Sequence, residues 1–475
     1  MRNYLDFYID GAWVPPAKPR TLEVINPATE GVVGQISMGG AADVDRAVQA
    51  ARRAFDSFGR TSRAERLDLL DAVLAQLVAR KDDLAAAITE EMGAPAGLAA
   101  AAHVPFGLGH FQLARQILAD LQTDRTMGTT LITAEPIGVV GMITPWNWPL
   151  NQIACKVAPA LAVGCTMVLK PSEVAPFSAQ IFAEAIHTAG VPHGVFNLIN
   201  GDGPSVGAAI STHPGVDMVS FTGSTRAGVQ VACDAAPTVK RVHQELGGKS
   251  ANIILPDADL ADAVARGVEA MMVNSGQSCN APSRMLVPIS RMEEAKAIAA
   301  QTIAQQTVGS PQEAVALGPV VSQTQWDRIQ ALIAQGMAEG ATLVAGGTGR
   351  PDGLDRGYYV KPTVFADVTN DMAIAREEIF GPVVVLIGYC NVDEAVAIAN
   401  DSVYGLAAYV QSASLDQARA VASRLRAGQV LLNYAALDLN APFGGFKQSG
   451  NGREWGELAF HEFMEVKAVL GYEAA

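Results

Sequence analysis

The chain has 475 residues, of which 49% are hydrophobic and 17% are charged, and its formal net charge is −14. This length exceeds one hydrophobic core and predicts two or three domains, and the composition is that of a folded globular protein. The acidic balance is offset by no Lys/Arg cluster, which excludes a nucleic-acid partner.

The five cysteines stand at positions 155, 165, 233, 279 and 390, with no CxxC pair and no His/Cys cluster. This usage predicts reduced thiols, a cytoplasmic location and no metal site. The N-terminal residues are too polar for a signal peptide. The uncharged stretch 136–155 contains three prolines, so it indicates a strand, a turn and a helix start, and we expect no membrane partner.

The first elements in chain order are a hairpin and three helices. Residues 7–14 alternate around Asp10-Gly11, a dipeptide typical of hairpin turns. Residues 41–58, 62–79 and 81–91 are Ala-rich with helical periodicity. A polar stretch at about 118–138 then ends in an apolar run, which indicates an excursion from the domain.

Strands and helices alternate regularly from residue 137 to residue 255. The predicted strands are 137–143, 166–170, 195–199, 217–221 and 250–255, and the predicted helices lie near 149–162, 175–189, 203–212 and 225–236. This alternation predicts an α/β fold with a parallel, doubly wound sheet that binds ligands at the carboxyl ends of its strands. A second α/β pattern follows Gly247-Gly248, with strands near 284–287, 383–389, 406–411 and 429–433.

Three strand ends in the first pattern carry ligand-binding candidates. The sequence from Gly203 to Gly207 fits the G-x-S-x-G nucleophile elbow of a serine hydrolase, with Ser205 as nucleophile. With Gly201 included, the same glycines form a loose variant of the dinucleotide fingerprint. Gly223 and Ser224 open a helix whose N-terminus favours a phosphate, unless Ser224 is only an N-cap. Lys170 and Glu173 can both reach a ribose, or form a surface salt bridge. For a hydrolase, the candidate bases are His213, His243 and His461.

Two further segments suggest polar groups for catalysis. The turn from Ile143 to Leu150 holds two tryptophans and two prolines, and Asn147 within it can point an amide N–H at an oxyanion. Glu245 precedes two glycines, a setting unlike a helix surface, so it is a candidate base, although a lone glutamate is usually a solvated charge.

Cys279 is the candidate nucleophile. The apolar residues from Leu260 to Met272 recur at helical spacing, which places Cys279 just past a helix end, between Ser278 and Asn280. Loops held by packed elements often present nucleophiles. The alternative is a small buried hydrophobic residue, the usual state of a free cysteine.

In this order, these motifs resemble the NAD(P)-dependent aldehyde dehydrogenase superfamily, in its hydrolytic, non-CoA-acylating type. The segments 377–382 and 442–454 complete the resemblance, which covers the whole chain. It implies a Rossmann-type cofactor domain (1–117 and 138–247), an α/β catalytic domain (248–448) and a small β oligomerisation element (118–137 and 449–475). A homodimer or homotetramer is therefore expected.

The resemblance also assigns the chemistry. Cys279 attacks the aldehyde, Asn147 and the Cys279 backbone N–H hold the oxyanion, and Glu245 activates the water that hydrolyses the thioester. Lys156 and Glu454 match positions of a proton relay with the base. A CoA-acylating relative usually lacks a carboxylate at the position of Glu245, so the resemblance favours water as the acceptor.

For the cofactor, the resemblance implies NAD, with NADP tolerated but less preferred, and places Glu378 on the nicotinamide ribose. The predicted cofactor residues are Ile143, Thr144, Trp146, Lys170, Ser172, Glu173, Gly203, Phe221, Gly223, Ser224, Leu246, Gly247, Glu378 and Phe380.

The predicted substrate tunnel departs from many relatives. Asn151, Gln152 and Cys155 are placed one helical turn beyond Trp148, where relatives often carry larger apolar groups. A wider, partly polar tunnel suits a bulky aldehyde that is aromatic or bears a keto, hydroxyl or carboxylate group. The predicted tunnel residues are Trp148, Asn151, Gln152, Cys155, Ser278, Asn280 and Phe443.

Overall fold

Two large sheets and two small ones organise the computed structural model, which describes residues 1–473. Within these residues the strands are β1 (Arg2–Tyr4), β2 (Phe7–Ile9), β3 (Ala12–Val14), β4 (Thr21–Asn26), β5 (Gly31–Ser37), β6 (Asp124–Met127), β7 (Thr130–Pro136), β8 (Val139–Ile143), β9 (Thr166–Lys170), β10 (Phe196–Leu198), β11 (Met218–Thr222), β12 (Arg241–Glu245), β13 (Ala251–Ile254), β14 (Arg284–Pro288), β15 (Thr342–Ala345), β16 (Thr363–Ala366), β17 (Val383–Tyr389), β18 (Ala407–Gln411), β19 (Gln429–Leu432), β20 (Gly450–Asn451) and β21 (Met464–Val469).

Helices cover the faces of the large sheets. They are α1 (Ala41–Phe58), α2 (Arg63–Ala79), α3 (Lys81–Met92), α4 (Ala96–Leu98), α5 (Val104–Asp120), α6 (Pro149–Val163), α7 (Phe177–Thr188), α8 (Ala208–Thr212), α9 (Thr225–Ala235), α10 (Leu260–Met272), α11 (Met292–Ala304), α12 (Gln323–Ala338), α13 (Ala373–Arg376), α14 (Val392–Asn400), α15 (Leu415–Ala422) and α16 (Leu458–Glu462). Among the described residues, no helix combines the length and the apolar character needed to cross a bilayer.

The first large sheet has the order β20-β12-β11-β8-β9-β10-β2-β3. Its five central strands run parallel, and the N-terminal hairpin and β20 add antiparallel edges. The predicted hairpin is confirmed, since Ile9 pairs with Ala12 around Asp10-Gly11. The parallel arrangement is also confirmed. It brings the carboxyl ends of β8, β9, β11 and β12 to one edge.

The second large sheet has the order β15-β16-β17-β14-β13-β18-β19. One prediction is wrong here: the run 250–255, grouped with the first sheet, forms β13 in the second sheet, between β14 and β18. The chain leaves β12 through Gly247-Gly248, and the Gly248 N–H donates to Glu378 at 2.9 Å. The crossing between sheets therefore lies at the two glycines, before this run.

The polar excursion at about 118–138 is an antiparallel hairpin. Strands β6 and β7 pair, and β21 adds to β7 over six residues, which gives a three-stranded sheet. This sheet leaves apolar side chains in solvent, with Val466 73% and Met127 59% exposed. Its role in oligomerisation and the domain limits given above stay predictions.

Candidate active site

A strained turn presents Cys279. Helix α10 buries its apolar face, ends at Met272, and is followed by Asn274, Ser275 and Gly276 at φ of 56°, 54° and 72°. Non-glycine residues rarely adopt this left-handed backbone, so surrounding contacts must hold it. The prediction that Cys279 lies just past a helix end is confirmed.

Buried hydrogen bonds hold this turn in place. The Ser275 hydroxyl donates to the Gly318 carbonyl at 2.8 Å, and the Val321 N–H donates to Gln277 Oε1 at 3.0 Å. The Asn274 side chain donates to the Asn147 carbonyl at 2.9 Å. These contacts compensate for the strained backbone and fix the loop that carries the thiol.

The turn after β8 docks directly onto the Cys279 loop. Asn147 Nδ2 donates to the Gln277 carbonyl at 3.0 Å, and Trp148 Nε1 donates to the Ser278 hydroxyl at 2.8 Å. An amide NH₂ has two donors, so the second N–H of Asn147 stays available beside Cys279. The site therefore joins segments from both large sheets.

Two cavities meet at Cys279 and Gln152. One has a volume of about 660 Å³ and is lined by Pro145, Trp146, Asn147, Gln152, Thr222, Gly223, Ser224, Leu246, Gly247, Cys279, Gln325, Arg328, Glu378 and Phe380. The other has a volume of about 470 Å³ and is lined by Phe106, Trp148, Asn151, Gln152, Cys279, Asn280, Leu437, Phe443, Glu454 and Trp455. We call them the cofactor cavity and the substrate tunnel.

Seven predicted cofactor residues line the cofactor cavity. They are Trp146, Gly223, Ser224, Leu246, Gly247, Glu378 and Phe380. Ser224 caps α9 by accepting a hydrogen bond from the Ala227 N–H at 3.3 Å, so it is also the N-cap of the alternative interpretation. Burial raises the pKa of Glu378 to about 7, although the hydrogen bond from the Gly248 N–H opposes this shift.

Gln325 and Arg328, on the first turns of α12, were missed by the sequence analysis. Gln325 donates to the carbonyls of Ile379 and Phe380 at 3.0 and 2.9 Å, and Arg328 donates to that of Glu378 at 2.7 Å. They fix a segment in which Phe380 has φ 58° and packs edge-on against Trp146. Their only sequence signal is a helix rich in polar residues.

The other predicted cofactor residues lie outside the lining of this cavity. Lys170 Nζ donates to Glu173, to the Pro171 carbonyl and to the Gly201 carbonyl at 3.0, 2.9 and 2.7 Å. The Lys170–Glu173 pair lies at the end of β9, and the Lys170 carbonyl accepts from the Thr144 N–H at 3.1 Å. The remaining ones belong to the same edge of the sheet: Ile143, Ser172, Gly203 and Phe221.

The structure gives the serine-hydrolase alternative no support. Ser205 lies in a π-helical turn, and its backbone N–H donates to Asp202 at 2.7 Å. Over residues 1–473, no hydrogen bond joins Ser205 to a histidine, and His213 instead contacts Asp45. Nor does this part of the chain hold three or more His, Cys, Asp or Glu side chains arranged for a metal ion.

Two buried histidines back the substrate tunnel. His103 stacks on Trp148 with ring centroids 4.0 Å apart, and His110 Nε2 donates to Asn151 Oδ1 at 2.8 Å. Burial lowers the pKa of His103 to about 3 and that of His110 to about 4, so both rings are neutral. Neither histidine was predicted from the sequence, nor were three other residues of the tunnel lining, Phe106, Leu437 and Trp455. The seven-residue spacing of the histidines on one helical face was the available signal.

Two predicted tunnel residues have other contacts. Cys155 is only 2% exposed, lies behind the tunnel wall and directs its thiol at Glu454, with Sγ to Oε2 at 3.3 Å. The prediction for Cys155 is corrected because it lies seven residues past Trp148, about 10 Å along the helix axis rather than one turn. The Ser278 hydroxyl is occupied by the Trp148 indole.

A buried ion pair lies beside the predicted base. Lys156 contacts Glu454 and donates to Thr222 Oγ1 at 2.7 Å. Burial raises the pKa of Glu245 well above its usual value, and the negative charge of Glu454 adds to the shift. Burial would raise the pKa of Glu454 as well, but Lys156, His243 and the hydrogen bond from Cys155 together outweigh burial, and the pKa is lowered. Two carboxyl groups with opposite pKa shifts suit acid–base catalysis.

The nucleophile and the predicted base are electrostatically connected. Burial raises the pKa of Cys279, and Glu245 is the largest charged contributor to that shift. A neutral thiol in this site becomes a nucleophile only when a proton acceptor removes its proton. Glu245 itself is 1% exposed and lies behind the cavity walls.

Comparison with known proteins gives consistent matches over the full length. The model of the aldehyde dehydrogenase family matches residues 13–469. A 3-succinoylsemialdehyde-pyridine dehydrogenase from Pseudomonas sp. is 59% identical, with 100% of both chains covered. A variant of aldehyde dehydrogenase C from Pseudomonas syringae, solved with NAD⁺ and octanal, is 55% identical with a TM-score of 0.98, covering 99% of this chain and 97% of that one. An NAD⁺ complex of an aldehyde dehydrogenase from Bacillus cereus is 40% identical with a TM-score of 0.95, covering 98% and 96%.

Proposed function

Because this chain belongs to the aldehyde dehydrogenase family, we propose that it oxidises an aryl or oxo-substituted aldehyde to the carboxylic acid with NAD⁺. The observation that carries the proposal is the position of Cys279, at the junction of the cofactor cavity and the substrate tunnel. A thiol at this junction can reach an aldehyde from one side and a nicotinamide from the other.

The cofactor cavity fits a dinucleotide. The Gly223–Ser224 turn opens α9, whose N-terminus suits a pyrophosphate, and Glu378 offers a carboxylate to a ribose. Ser172 and Thr144 lie near the same sheet edge, and the Thr144 hydroxyl is buried without a protein partner among residues 1–473. When bound, NAD⁺ would accept a hydride from the adduct on Cys279.

The first half of the reaction forms a thioester. Cys279 attacks the aldehyde carbonyl as the thiolate, after its thiol proton has passed to solvent water, and the free N–H of Asn147 and the Cys279 backbone N–H stabilise the resulting oxyanion. Losing one such donor typically costs roughly 10²–10³ in rate. Hydride loss from the adduct leaves the acyl group on sulfur.

The second half releases the acid. Glu245, when ionised, removes a proton from water, the water oxygen adds to the thioester carbonyl, and the C–S bond breaks with its electrons on sulfur. Lys156 and Glu454 keep a fixed charge pair beside the base. Burial and the charge of Glu454 disfavour ionisation of Glu245, so the ionised carboxylate is a stronger base and takes the proton of water readily.

NAD⁺ is expected to give a higher kcat/KM than NADP⁺. The Glu173 side chain is 30% exposed next to Lys170, where a carboxylate accepts hydrogen bonds from ribose hydroxyls and repels a 2′-phosphate. Glu173→Gln should reduce the NAD⁺/NADP⁺ ratio of kcat/KM by about tenfold, or about 1.4 kcal/mol. The exposed Glu457→Gln variant serves as control. A parent enzyme that prefers NADP⁺ would disprove this assignment.

The tunnel chemistry supports the substrate class. Trp148, Phe443 and Trp455 give aromatic walls, while the Asn151 carbonyl is taken by His110, so its NH₂ is the group left for a substrate. This orientation requires the Nε2–H tautomer of the neutral His110 ring. In a substrate with an aromatic ring and a keto oxygen, the ring would pack on the aromatic walls and the keto oxygen would accept a hydrogen bond from the Asn151 NH₂. The name of the relative from Pseudomonas sp. describes such an aldehyde, with a pyridine ring and a succinoyl group.

Asn151→Leu is expected to lower kcat/KM for oxo-aryl aldehydes about tenfold while leaving octanal within about twofold. The leucine removes the donor and keeps the tunnel volume, and octanal has no distal acceptor to lose. The measurement is NADH formation with both aldehydes on parent and variant. Equal losses for the two aldehydes would show that Asn151 does not recognise a substrate oxygen.

The quaternary structure and location extend the proposal. The exposed apolar side chains of β6 and β21 support a homodimer or homotetramer built on this sheet. Five free cysteines support a cytoplasmic location.

A further inference from the structure

A buried histidine faces the proposed base. His243 lies two residues before Glu245 on β12, so both side chains project from the same face of the strand. His243 Nε2 lies 3.9 Å from Glu245 Oε1, and both side chains are 2% exposed. No step described so far uses this ring.

Every polar side-chain atom of this pair lacks a partner. Both ring nitrogens of His243 and both carboxyl oxygens of Glu245 are buried without a hydrogen bond to any residue from 1 to 473. Buried polar groups are almost always hydrogen-bonded, so four orphan atoms on two neighbouring side chains call for an explanation. The atoms are chemically matched, because a neutral imidazole carries one N–H donor and an ionised carboxylate only accepts.

The segment that returns from the second sheet packs closely on the pair, at positions where only glycine fits. A Cβ at Gly452 would lie 2.3 Å from the His243 ring, and a Cβ at Gly444 would lie 2.8 Å from Glu245 Oε1. Both glycines have positive φ, at 78° and 157°. An N–H···O hydrogen bond is typically about 2.9 Å long, so a shift of roughly 1 Å in one side chain would close the gap.

We propose that His243 is a positioning residue, whose ring N–H donates a hydrogen bond to the ionised Glu245 carboxylate during thioester hydrolysis. The inference rests on the proposed role of Glu245 as the base. In this step the proton of the attacking water passes to Glu245, the hydrogen bond from His243 is released, and no redox partner is required.

The surroundings keep the ring neutral and therefore a single donor. Burial lowers the pKa of His243 to about 4; Glu454 opposes this shift, and Lys156 and Arg453 add to it. Glu462 also faces Glu245 and raises the pKa of that carboxyl. A hydrogen bond from the ring N–H of His243 to the ionised Glu245 carboxylate lowers the pKa of Glu245 and so opposes these shifts. Removing it should keep Glu245 protonated up to higher pH, so activity on the acid side should fall.

The test measures the burst and the steady rate of NADH formation from pH 6 to 9. His243→Leu removes the donor and should shift the acid limb of the steady rate about one unit upward, a loss of about tenfold on that limb, with the burst unchanged. His243→Gln keeps an N–H donor and should restore the parent profile. The exposed His461→Gln variant is the matched control.

A purely structural role would lower the rate evenly without moving the pH limb. The proposal would be overturned if the acid limb of the steady-rate pH profile did not shift in His243→Leu. It would also be overturned if that limb shifted as far in His243→Gln as in His243→Leu. Circular dichroism checks folding, and His243→Asn, whose amide is too short to reach Glu245, should give the leucine result if the leucine variant does not fold. Glu245→Gln, measured alongside, distinguishes failure of the His243 proposal from failure of the base assignment. If Glu245→Gln gives no burst of NADH followed by slow turnover, Glu245 is not the base.

Discussion

Cys279→Ala is expected to abolish NAD⁺-dependent aldehyde oxidation while leaving NAD⁺ binding intact. Of the described residues that line the two cavities, Cys279 is the only cysteine. Cys155 is buried against Glu454 and cannot replace it without moving. Loss of a covalent nucleophile should lower kcat by at least about a thousandfold. NADH absorbance measures turnover, and calorimetry measures NAD⁺ binding.

The alanine removes one sulfur from a partly exposed position, so the fold should not change. Cys233→Ala and Cys390→Ala, both at exposed positions, are the matched controls and should keep full activity. Turnover of Cys279→Ala above a few per cent of the parent would show that another group attacks the aldehyde.

Glu245→Gln is expected to stop the reaction after hydride transfer. The glutamine has nearly the same shape but cannot accept a proton from water, so the thioester should accumulate. Rapid mixing should give a burst of NADH about equal to the enzyme concentration, and then a steady rate lowered by roughly 10²–10⁴. Mass spectrometry should detect the acyl group on Cys279.

The exposed Glu269→Gln variant is the control for this experiment. Hydroxylamine, which cleaves thioesters without a protein base, should restore turnover in Glu245→Gln. A burst rate that falls as much as the steady rate would indicate instead that Glu245 activates the thiol.

The sequence was sufficient for much of the fold, because the parallel strands are short apolar runs bounded by glycine and polar turns. The run 166–170 coincides with β9, and the helix predicted near 149–162 is α6. Strands β4 and β5 were not predicted, since their mixed polar and apolar residues lie half exposed in a small sheet. The run 250–255 was assigned to the wrong sheet, because local pattern carries no information on pairing partners.

The sequence predicted site residues that lie in contiguous motifs. It did not predict residues that reach the site through contacts with distant parts of the chain. Cys279, Asn147 and seven cofactor residues lie in recognisable segments around the two cavities. His110 donates a hydrogen bond to Asn151, 41 residues away in the sequence. Arg328 donates one to the carbonyl of Glu378, 50 residues away. Neither contact leaves a local pattern, so only a three-dimensional structure reveals them.

The return of the C-terminal segment to the first large sheet, where β20 pairs with β12, makes the active site a late product of folding. Asn147 and Glu245 belong to the first large sheet, whereas Cys279 belongs to the second, and the segment that leads to β20 returns to the first sheet only near the C-terminus. During synthesis, about 170 residues must still emerge after Cys279 before that segment can pair with β12. A nascent chain that already carries Asn147, Glu245 and Cys279 thus still lacks β20 and Glu454, the ion-pair partner of Lys156, and the surroundings of the base are complete only in the finished molecule.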